Sequence, residues 1–141
     1  MKIDPRGPRF TASVTAVLLA VTLLVPDGAA TVLIAVQTVF FAIGVLAGVP
    51  HTPTGLVFRH LVRPRLSPPT AMEDAAPPRF AQGVGLVFAV VALVGYLTGA
   101  TVVAQVAVGF ALVAALLNAV FGLCLGCELY LFGLRAARRT A

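Results

Sequence analysis

A chain of 141 residues that is 60% hydrophobic and only 11% charged is not a soluble domain, where about a quarter of residues carry charge. The length excludes two ordinary domains, so residues 1–141 are read as one integral membrane domain whose first partner is the lipid bilayer. The net charge of +5 does not point to nucleic acid, because the basic residues flank apolar runs instead of gathering on one soluble face.

Four apolar runs follow in order: Phe10–Val25, Thr31–Val49, Phe80–Leu97 and Thr101–Leu134. Each suits a bilayer core about 30 Å thick. The expected fold is all-α, a polytopic membrane protein of four transmembrane helices. Pro26-Asp27-Gly28 breaks the first hairpin and Thr98-Gly99 the second. Turns this short make the flanking helices antiparallel neighbours. The proline-rich segment from Pro50 to Arg79 joins the hairpins. Within it, Gly55–Val62 is read as a brief interfacial helix. The stretch from Arg63-Pro64-Arg65 onward is read as extended, since a proline disfavours helix in the residue before it.

All ten basic residues lie before the first run, in the central segment or after the fourth run. Neither hairpin turn holds one. The positive-inside rule then puts both termini and the central segment in the cytoplasm, and the protein in the inner (cytoplasmic) membrane. Sliding the chain by about 70 residues lays Asp4, Pro8, Arg9 and Phe10 on Asp74, Pro78, Arg79 and Phe80. Residues 4–65 and 74–135 are therefore read as two parallel-repeat hairpins. The repeat also argues against a cleavable signal peptide at the N-terminus, because the first run matches the internal third one.

The two cysteines stand together as Cys124-Leu125-Gly126-Cys127. Thiols three residues apart can share a disulfide, a metal or a transferable sulfur atom. The stretch from Thr101 to Cys124 measures roughly 35 Å as a straight helix, which carries the pair to the cytoplasmic interface. The apolar run goes on to Leu134, as a tilted continuation or as a helix lying along the surface, with Gly122 and Gly126 as places to bend. On a helix, Ala114, Asn118, Gly122 and Gly126 form a small-residue packing stripe beside the cysteine face. Gln37 and Gln105 are read as polar contacts inside the bundle. Glu128 is placed as an ion-pair partner for Arg63, Arg65 or Arg79, the cytoplasmic loop anchors, or as a base for Cys124. A carboxylate and a helix C-terminus both disfavour a thiolate, so the local sequence alone does not mark a strong nucleophile.

Four stretches resemble an uncharacterised bacterial membrane family catalogued as domain of unknown function 4395. They are Ile3-Asp4-Pro5-Arg6-Gly7-Pro8-Arg9-Phe10, Arg63-Pro64-Arg65-Leu66, Pro77-Pro78-Arg79-Phe80-Ala81-Gln82, and Leu117-Asn118 together with Gly122 through Tyr130. The resemblance covers nearly the whole chain and implies association with thioredoxin-like or sulfurtransferase proteins, especially in actinobacteria. It implies thiol redox or sulfur chemistry at Cys124 and Cys127, with no established activity and no cofactor.

Three further readings stay open. A scaffolding subunit would use the cysteines as small apolar side chains and assemble, as a homo-oligomer for example, through the glycine stripe. A small transporter of sulfur compounds would exploit the repeat, with Gln37, Gln105 and Asn118 as its polar groups. A zinc site needs four ligands, and only His51, His60 and Glu128 are available to join the thiolates, so no metal is assigned.

Overall fold

A computed structural model describes residues 2–140 as a helical bundle. A two-residue strand, β1 (Lys2–Ile3), is followed by α1 (Arg6–Leu24) and α2 (Asp27–Leu46). The central segment holds α3 (Pro53–Val57) and a second short strand, β2 (Glu73–Asp74). Then come α4 (Ala76–Thr98), α5 (Thr101–Phe121) and α6 (Leu125–Thr140). Helices α1, α2, α4 and α5 are each long and apolar enough to cross a bilayer, and the protein is an all-α membrane protein.

Three of the membrane helices start one turn earlier than hydropathy places them. Polar residues at their N-termini are the cause. Asp4 Oδ1 accepts the Arg6 N–H at 3.0 Å, and Asp74 Oδ1 accepts the Ala76 N–H at 2.9 Å. Each carboxylate satisfies a first-turn donor that would otherwise be orphaned. In α2 the acidic Asp27 stands in the first turn, where the helix dipole favours it. Its carboxylate also accepts the Thr101 hydroxyl at 3.0 Å and so ties the two hairpin turns together at one end of the bundle.

Interior residues are small. Ala30, Ala89, Ala92, Ala104 and Ala107 are buried around Leu19, Ile34 and Val108. Large side chains such as Val17, Val32, Val87 and Val102 face outward. Lipid is as apolar as leucine, so helices gain by close backbone approach, and small residues permit it. Helix α1 packs against α5, and α2 against α4, so each hairpin contacts its opposite number through both of its helices.

The other end collects β1, the central segment and the start of α6. Lys2 pairs with Asp74 and Ile3 with Glu73 in the antiparallel β1–β2 ladder. Asp4 is buried, holds Arg6 at 2.8 Å and lies 3.9 Å from Arg63. The Arg6 guanidinium also reaches the Ser67 carbonyl at 3.0 Å. The central segment is more helical than its prolines suggest. Turns run from Val49 to Arg65, with Arg63-Pro64-Arg65 as a 3₁₀ turn and not an extended strand. Pro64 sits at the start of that turn, where its missing N–H costs nothing. The Thr52 side chain caps α3 by accepting the Gly55 N–H at 3.0 Å, and the Thr54 hydroxyl donates to Thr11 on α1 at 3.1 Å.

The Asp4 carboxyl is held below its usual range, chiefly by the Arg6 guanidinium hydrogen bond. A carboxylate lowered in this way contributes its full stability above the ordinary value near 4 and loses it as pH falls through the lowered one. Asp4→Asn should therefore release the Leu66–Met72 linker at neutral pH, at a cost on the order of 1–2 kcal/mol for a half-exposed charged pair. Limited proteolysis of detergent-solubilised protein reads this directly. The native linker should become cleavable only in acid, and the variant already at neutral pH.

Candidate functional site

The fourth apolar run is not one helix. Gly122 adopts a left-handed conformation at φ 69°, which a side chain opposes, and it ends α5 there. Its N–H reaches the Asn118 and Leu117 carbonyls, and the Leu123 N–H reaches Leu117 at 3.1 Å. The next two carbonyls, Ala119 and Val120, accept from the Arg9 guanidinium of α1 at 3.3 and 3.2 Å. The terminal acceptors of α5 thus find donors without the helix continuing. Arg79, which the sequence shift lays on Arg9, does the same for α2 by donating to the Val45 and Leu46 carbonyls.

A new helix begins directly afterwards. Cys124 is its N-cap: its carbonyl accepts the Glu128 N–H at 3.0 Å and its sulfur accepts the Cys127 N–H at 3.3 Å. Cys124 and Cys127 are joined in a disulfide, with Cα atoms 5.2 Å apart. Both are partly buried. The expectation that the pair lies late in a helix is thereby corrected. The pair stands in the first turn of α6, where the free N–H groups and the helix dipole favour negative charge on sulfur. Arg9, packed beside Gly122, adds a positive charge nearby.

The small-residue stripe dissolves into three separate roles. Asn118 lines a cavity, Gly122 breaks the helix, and Gly126 brings α6 against α4. A Cβ on Gly126 would lie 2.6 Å from both Cα and Cβ of Ala81. The same α4–α6 contact carries Phe80 and Tyr130, whose ring centroids are 5.6 Å apart.

Glu128 is exposed and forms no ion pair among the described residues. Arg63 turns to Asp4, Arg79 caps α2, and Arg65 is exposed. The anchoring expected between Glu128 and these arginines is therefore not made. The Asp4 carboxylate at the opposite end of the sequence anchors the segment instead. Gln37 is 2% exposed, with its amide oxygen unpartnered among the described residues, whereas Gln105 faces outward. His51 and His60 are exposed, and no cluster of three metal-ligating side chains occurs among the described residues.

A cavity of about 300 Å³ borders Cys124, between α1, α4, α5 and α6, with Phe41 of α2 also on its wall. Cys124 lines it, together with Thr15, Phe41, Gln82, Phe110 and Asn118. Sequence reasoning singled out only Cys124 and Asn118 from this set. The missed residues left uneven marks: Thr15 is one of four hydroxyl residues in the first apolar run, with Thr11, Ser13 and Thr22, Gln82 closes the Pro-Pro-Arg-Phe-Ala-Gln stretch, and Arg9 is the repeated arginine.

The family model for a domain of unknown function (DUF4395) matches residues 3–135. Neither a curated protein nor a solved structure matches the chain.

Gly126→Ala should force α6 off α4 and destabilise the protein by about 1–3 kcal/mol, as overpacking does. Gly133→Ala, where a Cβ meets open space, should be neutral or stabilising by up to about 1 kcal/mol. Thermal unfolding in one detergent compares the two, and equal midpoints would show that α6 does not dock as described.

Proposed function

We infer that this chain, which belongs to the domain of unknown function 4395 family, is a membrane thiol–disulfide exchange protein acting through Cys124 and Cys127. The observation that carries the reading is the disulfide in the first turn of α6, with the Cys124 sulfur accepting the Cys127 N–H. Disulfide exchange needs a thiolate, and a helix N-terminus is where proteins stabilise one. A packing role would need neither the disulfide nor the capping geometry.

The basic end of the bundle carries the pair, and by the positive-inside rule that end faces the cytoplasm of the inner membrane. Cytosolic disulfides are ordinarily transient and catalytic, so a pair placed there is a working couple and not a structural staple. The partner is a thioredoxin-like dithiol protein. Its thiolate attacks Cys127, the S–S bond breaks, and Cys124 leaves as a thiolate held by the helix N-terminus. The partner's second thiol then attacks the mixed disulfide. Cys127 is released, and two electrons have passed from the partner to the pair. The Cys124 thiolate is also the nucleophile that a sulfurtransferase would load with sulfane sulfur.

Cys124→Ser, with Cys127 first converted to its thionitrobenzoate mixed disulfide, should be attacked by a thioredoxin-type protein lacking its resolving cysteine, which releases thionitrobenzoate and leaves a protein–protein mixed disulfide visible on a non-reducing gel. Cys124→Ser/Cys127→Ser should trap none. Full cellular function in the double variant would refute the exchange role.

A further inference from the structure

Cys124, and not Cys127, is the half of the disulfide that borders a cavity. It lines the cavity between α1, α4, α5 and α6. That cavity is apolar and aromatic, with Phe41, Phe88 and Phe110 on its wall. At about 300 Å³ it is at the small end of sites that hold organic ligands. It is not sealed. Phe110, in the middle of α5, is 63% exposed on its outer side, and Leu129 of α6 is 57% exposed. A ligand can therefore enter sideways from the bilayer.

Its polar groups are few. Thr15 is only 6% exposed and lines the cavity. The side-chain amides of Gln82 and Asn118 also line the cavity and lack partners among the described residues. Three donors inside an apolar chamber call for a ligand with carbonyl or hydroxyl oxygens on an apolar body. Cys124 on the cavity wall places one sulfur of the pair beside the occupant, so an occupant able to accept two electrons can return the dithiol to the disulfide.

We propose that the cavity binds the head group of a lipid-soluble quinone, which reoxidises the cysteine pair. This rests on the exchange reading above. The Cys124 thiolate adds to the quinone ring. The Cys127 thiolate then attacks the Cys124 sulfur, forming the S–S bond and breaking the carbon–sulfur bond. The ring leaves as hydroquinone. Two electrons and, in net, the two thiol protons move from the dithiol to the quinone oxygens. Thr15, Gln82 and Asn118 donate to those oxygens as charge builds on them.

The test uses the full chain in nanodiscs, reduced and freed of reductant, with a short-chain naphthoquinone as probe. Hydroquinone is read by absorbance and the Cys124–Cys127 disulfide by alkylation. A separate arm reduces the disulfide with a thioredoxin-type protein. The proposal expects one hydroquinone per disulfide formed. Thr15→Val should slow quinone reduction about fivefold, the worth of one hydrogen bond. Ala114→Phe, which fills the chamber, should abolish it, with exchange by the thioredoxin-type protein unchanged in both variants. Hydroquinone formed equally fast in both variants would place the reaction outside the cavity and overturn the proposal. So would normal exchange with no hydroquinone, leaving an acyl chain as the occupant. Failure of exchange in the unmodified protein would overturn the exchange reading, and the quinone step with it.

Discussion

The end of α5 must satisfy its last carbonyl groups inside a membrane protein, and the way it does so decides where sulfur can act. Gly122 turns the chain, its own N–H and that of Leu123 close two acceptors, and Arg9 reaches from α1 to close two more. Without an external cation the carbonyls would be left to water or to a continued helix. With it, the chain is free to start again at Cys124. The guanidinium therefore does two things. It stops one helix, and it leaves a positive group beside the N-terminus of the next.

The two halves carry parallel devices with different chemistry. Asp4 and Asp74 each accept an N–H two residues on, and Arg9 and Arg79 each cap the closing helix of the other hairpin. After each hairpin a further helix begins behind an N-cap side chain that accepts the N–H three residues later. In the first half that acceptor is the Thr52 oxygen, bonded to Gly55. In the second it is the Cys124 sulfur, bonded to Cys127. A hydroxyl in that position is a structural cap. A sulfur there is a cap that can also leave and return as a thiolate. The small-residue interior has a consequence of its own: alanines and glycines let backbones approach but fill little space, and the cavity is lined by Ala12, Ala81, Gly85, Ala111, Ala114 and Ala115.

Much of the fold was legible in the sequence because the bilayer simplifies it. Apolar length marked the four membrane helices, and Arg6, Arg9, Arg63 and Arg79 make their contacts at the helix ends that their spacing pointed to. Hydropathy failed where polar atoms set boundaries. It joined Thr101 to Leu134, since Leu123, Leu125 and Leu129 are as apolar as the helix before them. Gly122 marks a place to bend in the sequence, but the full break depends also on an arginine more than a hundred residues away, which periodicity does not record. The helix N-terminal setting of the cysteines was missed for the same reason, because a pair late in a helix feels the opposite sign of the dipole. Arg63-Pro64-Arg65 was misjudged through a local rule that tertiary contacts with Asp4 override. Gln105 faces outward because alanines, not amides, fill the interface.

The most direct test of this account is the alkylation rate of each thiol in the reduced protein across pH, read by mass spectrometry. If the break at Gly122 puts Cys124 at a helix N-terminus, Cys124 reacts as a thiolate at neutral pH, well below the range of an ordinary thiol, and faster than Cys127. Equal, slow reaction of both thiols, rising only in alkali, would contradict the account and return the pair to the continuous helix that hydropathy alone describes.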